Sequence, residues 1–205
     1  MSLIATGSNE GQKDFELTPQ GNHRAVCYMV ADLGMQKSEY KGVEKNLHKI
    51  KIGWELVDEQ MKDGRPFGIT KNYTLTLLSM GNLRKDLESW RGRAFSEQEL
   101  SGFDVFAVLG HGCLLNVVHS ASGDRTYANV ASIAKLPKGM TTDLPTNPII
   151  KFSLSGGNNL TPWESLPKWL QEKINREGVI AQSDPSGLPT GNADADPDFD
   201  DEIEF

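Results

Sequence analysis

NLHKIKIGWEL, at residues 46–56, is the stretch that decides the fold, because apolar and polar side chains alternate along it. One phase holds the apolar residues Ile50, Ile52, Trp54 and Leu56, and the other holds Lys49, Lys51, Gly53 and Glu55. A period of two residues is typical of a strand that buries one face. We therefore expect a half-buried antiparallel strand here.

Four further strands are predicted on either side of this one. Their β-branched, aromatic and alternating residues fall at 23–30, 67–78, 113–120 and 126–133. A turn at residues 62–66, which contains Asp63, Gly64 and Pro66, predicts that the second and third strands form a hairpin. The residues between the first and second strands, through Tyr40 and Gly42, are expected to form a loop.

The hydrophobic period changes to that of a helix between the third and fourth strands. Leu83, Leu87 and Trp90 share one helical face, which predicts a helix that Ser79 caps and Gly92 closes. A second helical turn is expected to begin at Ser96, which has the spacing of a capping box with Glu99.

Five antiparallel strands with one helix between the third and fourth predict a mainly β protein with the oligonucleotide/oligosaccharide-binding (OB) fold, a partly open Greek key barrel. We divide the chain into a polar lead-in at 1–20, the OB-fold domain at 21–140, an arm at 141–182 and a flexible acidic tail at 183–205. The arm contains a short helix begun by Pro167 and two tryptophans. Those tryptophans would form an exposed apolar patch unless the arm docks on its own barrel or bridges neighbouring subunits, and both alternatives stay open.

The tail carries almost all of the net charge of −7. The chain has 28 acidic and 21 basic residues, and eight of the acids lie from Asp184 onward with no Lys or Arg among them, so the remainder has 20 acids against 21 bases. Such a segment is expected to be disordered. The end of the tail has apolar side chains among carboxylates, which is typical of a binding motif for a partner protein and not of a segment that only adds solubility. The residues predicted to bind that partner are Asp198, Asp200, Asp201, Glu202, Ile203 and Phe205.

Enzyme motifs are missing from the sequence. It has no P-loop and no Gly-x-Ser-x-Gly elbow, its four histidines are scattered, and the tail's acidic repeat lacks the central Gly of a calcium loop. Cys27 and Cys113 fit small buried side chains. We expect no catalysis, no metal and no cofactor. Neither a signal peptide nor a membrane span is visible, which predicts a cytoplasmic protein with no membrane partner.

The basic and aromatic residues of the second and third strands predict a surface for single-stranded DNA. Binders of single strands combine a cationic groove with rings on which bases stack. Core packing is the alternative for Trp54 and Tyr73, and an ordinary charged helix face is the alternative for the arginines near the helix. The predicted DNA-binding residues are Tyr40, Lys45, Lys49, Lys51, Trp54, Arg65, Phe67, Lys71, Tyr73, Arg84, Arg91 and Arg93.

Two parts of the chain resemble known proteins. The last six residues, Asp-Asp-Glu-Ile-Glu-Phe, are similar to the Asp-Asp-Asp-Ile-Pro-Phe tip of bacterial single-stranded DNA-binding proteins, with Glu202 and Glu204 as the departures. Residues 15–140 resemble bacteriophage single-stranded DNA-binding proteins of the Enc34-like type. The runs that carry this resemblance are Arg65-Pro66-Phe67, Tyr73-Thr74-Leu75, Leu83-Arg84-Lys85-Asp86-Leu87, Trp90-Arg91-Gly92-Arg93-Ala94-Phe95 and Asn116-Val117-Val118-His119.

The resemblance implies an OB-fold that coats single strands during phage DNA replication, recombination and repair in an infected bacterial cell. It also implies a tail that recruits host or phage replication and recombination proteins and competes with DNA for the groove. Self-association along a strand stays open. A phage adaptor, whose barrel and arm bind another protein while the tail mimics DNA, is the alternative, and a nuclease comes third because the barrel region lacks clustered carboxylates.

Overall fold

The fold is described by a computed structural model that covers residues 16–40, 43–123, 125–158 and 160–177. Its strands are β1 (Gly21–Tyr40), β2 (Val43–Gln60), β3 (Pro66–Thr74), β4 (Gly112–Ser122), β5 (Arg125–Ala134) and β6 (Ile150–Phe152). Its helices are α1 (Asn82–Arg91), α2 (Glu97–Ser101) and α3 (Lys168–Glu177), with 3-10 turns at Val105–Val108 and Trp163–Ser165.

The strands form one sheet in the order β3-β2-β1-β4-β5, and β6 pairs with β1. All pairings are antiparallel except the parallel one between β1 and β6. The expectation of a mainly β fold with few helices is confirmed. A sixth strand was not predicted, because β6 is only three residues long, too short for its alternation to stand out in the sequence.

The first two strands are much longer than predicted. The segment expected to be a loop continues the ladder instead, and the pairing runs from Ala25 opposite Leu56 to Tyr40 opposite Val43. Two β-bulges interrupt it, and Gly34, which has a positive φ of 76°, follows the second bulge. These irregularities shift the side-chain phase, so the sequence of β1 does not alternate and its full length is hidden.

Helix α1 begins at a different residue than predicted. Gly81, not Ser79, occupies the N-cap, with extended backbone and no side-chain cap. A Cβ at this position would lie 3.2 Å from the carbonyl oxygen of Leu78, so the tight turn favours glycine. The other two helix signals are confirmed, since Gly92 closes α1 in the left-handed conformation and Ser96 forms a capping box with Glu99.

The sheet is covered on both faces by apolar clusters. The first core contains the alternating apolar residues of β2 together with one face of α1, and the rings of Trp54 and Trp90 lie 5.9 Å apart within it. The second core lies on the opposite face of β1. It consists of Met29, Ala31, Leu33, Ile150, Phe152, Leu166, Leu170 and Ile174. The arm therefore packs on the sheet of its own chain, which is the first of the two alternatives that the sequence left open.

Backbone pairing and buried carboxylates hold the arm in place. β4 pairs with β1 only as far as Val26. The next part of β1, from Met29 to Ala31, pairs with β6 instead. Glu55 on β2 is buried, and it accepts hydrogen bonds from the backbone N–H groups of Thr146 (2.5 Å) and Asn147 (2.8 Å) and from the Asn147 side chain (2.6 Å).

Candidate nucleic-acid interface

Three lysines lie on one face of β2. Lys45, Lys49 and Lys51 occupy odd positions, opposite in phase to Ile50, Ile52 and Trp54, which enter the first core. Lys45 is exposed, whereas Lys49 and Lys51 retain only 6% and 7% of their accessible surface. Lys49 and Lys51 were predicted to share the polar face of this strand, and the structure puts them on one face, but both are buried.

Polar residues of β3 lie beside these lysines on the same face. In the ladder Thr74 is opposite Lys49, Asn72 is opposite Lys51 and Thr70 is opposite Gly53. The ammonium of Lys51 donates to the Thr70 hydroxyl at 3.4 Å. We call this surface the polar strip, and it comprises Lys45, Lys49, Lys51, Thr70, Asn72 and Thr74.

Gly53 marks the edge of the polar strip toward the second core. A Cβ there would lie 2.7 Å from the terminal methyl of Met29 and 3.4 Å from the methyl of Thr70. A glycine in a strand interior often marks such a close approach. The strip is therefore bounded by the second core on the side of β1.

The predicted stacking rings do not lie on the polar strip. Trp54, Phe67 and Tyr73 are buried members of the first core, and the Tyr73 hydroxyl donates to Asp86 at 2.7 Å. Their positions have the same phase as Ile52 and Ile69, so alternation directs them inward. The prediction that these three rings stack on bases is therefore corrected, because they pack in the core. Core packing was the stated alternative for Trp54 and Tyr73.

Lys71 also lies on the core side of the sheet. Its ammonium is 3.2 Å from the Asp86 carboxylate of α1 and donates to the carbonyl oxygen of Val130 on β5 at 3.3 Å. This side chain thereby links β3 to both α1 and β5. The prediction that it adds charge to the same surface as Lys49 and Lys51 is corrected, because it is one residue out of phase with Asn72.

The four predicted arginines are engaged in local ion pairs. Arg65 binds Asp63 at 2.6 Å in the hairpin turn, and Arg84 binds Glu88 at 3.0 Å one helical turn away. Arg91 and Arg93 both bind Glu99. The alternative of an ordinary charged face therefore describes Arg84, Arg91 and Arg93 better than a DNA groove.

The pKa values of these carboxyl groups reflect the same pairing. The backbone N–H of Phe95 and the guanidinium of Arg84 lower the pKa of Glu88. Hydrogen bonds from Arg93 and from the Ser96 backbone hold the pKa of Glu99 far below its ordinary value. Arg91 also stacks on Phe95, with its guanidinium carbon 4.3 Å from the ring centroid, so this cluster organises the α1–α2 connection.

Several predicted residues cannot be assigned to the site. The backbone of Tyr40 pairs with Val43 at the end of the long hairpin, but its side chain is not among those described. The tail residues Asp198, Asp200, Asp201, Glu202, Ile203 and Phe205 lie outside the described residues.

Other chemical features of the described residues are few. They contain no group of three or more His, Cys, Asp or Glu side chains placed to hold a metal ion. Within the same ranges, no helix combines the length and apolar character needed to cross a membrane. Cys27 and Cys113 are buried thiols, as expected, and burial raises the pKa of Cys27 to about 12.

Sequence reasoning missed the polar residues of β3. Thr70, Asn72 and Thr74 share one phase of β3, and the predicted hairpin already implied that they would flank the lysines. The signal was therefore present in the register of β2 and β3. The prediction favoured aromatic residues instead, because rings are frequent in single-strand binders.

Comparison with known proteins adds no family assignment. No protein-family model matches the chain. A search of curated proteins finds no match either.

Proposed function

We propose that this protein is a non-enzymatic, sequence-tolerant binder of single-stranded DNA and that the strand runs along the polar strip. The observation that carries the proposal is the alignment of Lys45, Lys49 and Lys51 on one face of β2, beside hydroxyl and amide groups of β3. Lysines so aligned neutralise successive phosphates, and the polar neighbours supply further hydrogen bonds to the backbone.

The arrangement of the sheet supports an OB-fold as the scaffold. In the order β3-β2-β1-β4-β5 the two end strands are β3 and β5, and the hydrogen bond from Lys71 to Val130 joins them. Contact between the end strands is what a partly open barrel requires, and OB-folds bind oligonucleotides on the face of strands two and three. The polar strip lies on those two strands.

The proposed biological setting follows from the resemblance to phage proteins. We infer that the protein coats single strands during phage DNA replication, recombination and repair in an infected bacterial cell. The acidic tail would recruit host or phage proteins and compete with DNA for the lysines.

The binding test compares two lysine variants in an affinity titration. Fluorescence anisotropy with labelled oligo-dT at several salt concentrations should show that Lys49→Gln/Lys51→Gln weakens binding. Each lost phosphate contact should reduce the slope of log affinity against log salt by about 0.7. Lys85→Gln is the matched control, because Lys85 is exposed on α1, which packs on the other side of the sheet.

Three results would argue against DNA coating along the strip. One is unchanged affinity in the double variant, provided that its thermal stability matches the wild type. Another is equal affinity for oligo-dT and for a duplex of the same length. The third is absence of binding to both.

The burial of two strip lysines favours a second candidate function. Lys49 and Lys51 keep little exposed surface, which is unusual for an open cationic groove. In a phage adaptor they would be structural, and the exposed Trp169 of the arm would be available for a protein partner. The titration separates the candidates, since an adaptor does not bind oligo-dT.

A further inference from the structure

Two amide side chains lie on the face of the polar strip and contain buried atoms without partners. Asn72 is opposite Lys51 on β3, and Gln36 is opposite Leu47 on β1, in the same phase as Lys49. Among the described residues, neither Oδ1 of Asn72 nor Nε2 of Gln36 has a hydrogen-bond partner. Gln36 as a whole is only 6% exposed.

Unpartnered buried amides are costly and therefore call for an explanation. Removing an amide from water without a new hydrogen bond is unfavourable, and native proteins keep few such groups. Both amides flank lysines of the strip. A role in recognising a ligand would account for their position.

Chemistry distinguishes bases from phosphates as the partner of the Asn72 oxygen. The Oδ1 atom of Asn72 is an acceptor, and phosphate oxygens carry no proton to donate to it at neutral pH. Every nucleobase has an N–H group on an edge that is accessible in a single strand. The Nε2 atom of Gln36 is a donor, which suits ring nitrogens and carbonyl oxygens of bases as well as phosphate oxygens, so Asn72 carries the distinction.

We propose that Asn72 and Gln36 contact base edges of the bound single strand and add a base preference to charge-driven binding. This inference rests on the proposed function. The lysines would supply affinity that depends on salt and is the same for every base, and the amides would supply affinity that depends on the base.

The test measures affinity for oligo-dA, oligo-dC and oligo-dT of equal length and for an abasic strand, using the full chain. Asn72→Leu and Gln36→Met, made separately, remove the amides and keep a side chain of similar shape. Each should reduce the largest ratio between homopolymers by about two- to tenfold, the range of one hydrogen bond. The salt slope should stay as in the wild type.

Lys49→Gln should have the opposite effect to the amide variants. It should lower the slope of log affinity against log salt and leave the affinity ratios between homopolymers unchanged. Thermal unfolding of each variant shows whether it is folded, and the two amide positions give independent readings. The inference is overturned if the wild type binds all homopolymers and the abasic strand equally. It is also overturned if the folded amide variants keep the ratios or lose affinity for every strand equally.

In both of those outcomes the protein still binds single strands, so the proposed function survives. Failure of the wild type to bind any single strand would instead remove the proposed function, and the inference with it.

Discussion

Asp32 joins three segments through its two carboxylate oxygens. One oxygen accepts from the Gly34 backbone N–H at 2.8 Å and lies 2.7 Å from Nε2 of His48, and the other accepts from the Leu154 backbone N–H at 3.2 Å. Burial raises the pKa of Asp32, but the hydrogen bonds from His48 and Gly34 outweigh it and leave the pKa lowered. The hydrogen bond to Asp32 raises the pKa of His48.

These opposite shifts predict a stability maximum at mildly acidic pH. The folded pKa of Asp32 is below its unfolded value of about 3.9, so its contribution is present above that value and is lost as pH falls through the folded pKa. The folded pKa of His48 is above its unfolded value of about 6.5, so its contribution is complete below that pH and is lost as pH rises through the folded pKa. We expect this pair to stabilise the fold most between about pH 4 and 6.5.

Thermal unfolding across this pH range tests the pair. His48→Gln should remove the loss of stability on the alkaline side and weaken the loss on the acid side, because His48 is the largest cause that lowers the pKa of Asp32. His111→Gln is the control, since His111 is exposed and its Nδ1 atom hydrogen-bonds the carbonyl oxygen of Leu109 instead of a carboxylate. An alkaline decline that persists in His48→Gln would show that another group causes it.

At the scale of elements, α3 contributes Leu170 and Ile174 to the second core. Leu170 is fully buried there, whereas the adjacent Trp169 is 46% exposed. We expect Leu170→Ala to lower the free energy of unfolding by about 2–5 kcal/mol, because it leaves a cavity beside Met29 and Phe152 in the second core. Trp169→Ala should change it by less than about 0.5 kcal/mol.

Urea denaturation of the two variants measures this difference, and their adjacency on one helix makes them a matched pair. Equal effects would contradict docking of α3 on its own sheet. So would a larger effect of Trp169→Ala, which would indicate that the exposed tryptophan is the anchored one.

The elements that could be predicted are those whose signals are local. The alternation in β2 and β3, the glycine after α1 and the capping box at Ser96 each depend on a few neighbouring residues, and the structure confirms all of them. The extension of β1 could not be predicted, because its bulges break the alternation. β6 could not be predicted either, since a three-residue strand is stabilised only by its partner β1.

The residues of the candidate site could likewise be predicted only where local sequence patterns determine their position. Alternation placed Lys49 and Lys51 on one face, but it could not reveal their burial, which depends on segments distant in sequence. The rings of Trp54 and Tyr73 were ambiguous because a strand with one apolar face directs aromatic residues into its core. The arginine pairs were visible in principle, since Glu88 follows Arg84 by four residues and Glu99 follows Arg93 by six.

At the scale of the whole molecule, charge is divided between a nearly neutral body and an acidic tail. The eight acids from Asp184 onward account for the net charge of −7, because the rest of the chain has 21 basic and 20 acidic residues. Lys49 and Lys51 are the strip residues proposed to bind an anion, yet both are buried. Binding of DNA along the strip, as proposed, therefore requires that these two side chains become more accessible.

Deleting residues 184–205 should tighten binding to oligo-dT if the tail is the competing anion. A tethered segment reaches an effective concentration in the millimolar range, so its removal should raise the affinity by roughly tenfold or more at low salt. The gain should shrink at high salt because screening weakens the competitor. Titrations of the full and shortened chains at two salt concentrations measure it.

A second variant separates competition from partner recruitment. Ile203→Ser/Phe205→Ser keeps every carboxylate side chain of the tail, so it should bind oligo-dT as the full chain does while losing the apolar side chains that a partner protein would contact. Unchanged or weaker binding after deletion of the tail would contradict competition. If Ile203→Ser/Phe205→Ser instead tightened DNA binding as much as the deletion, the apolar residues and not the carboxylates would be the competing element.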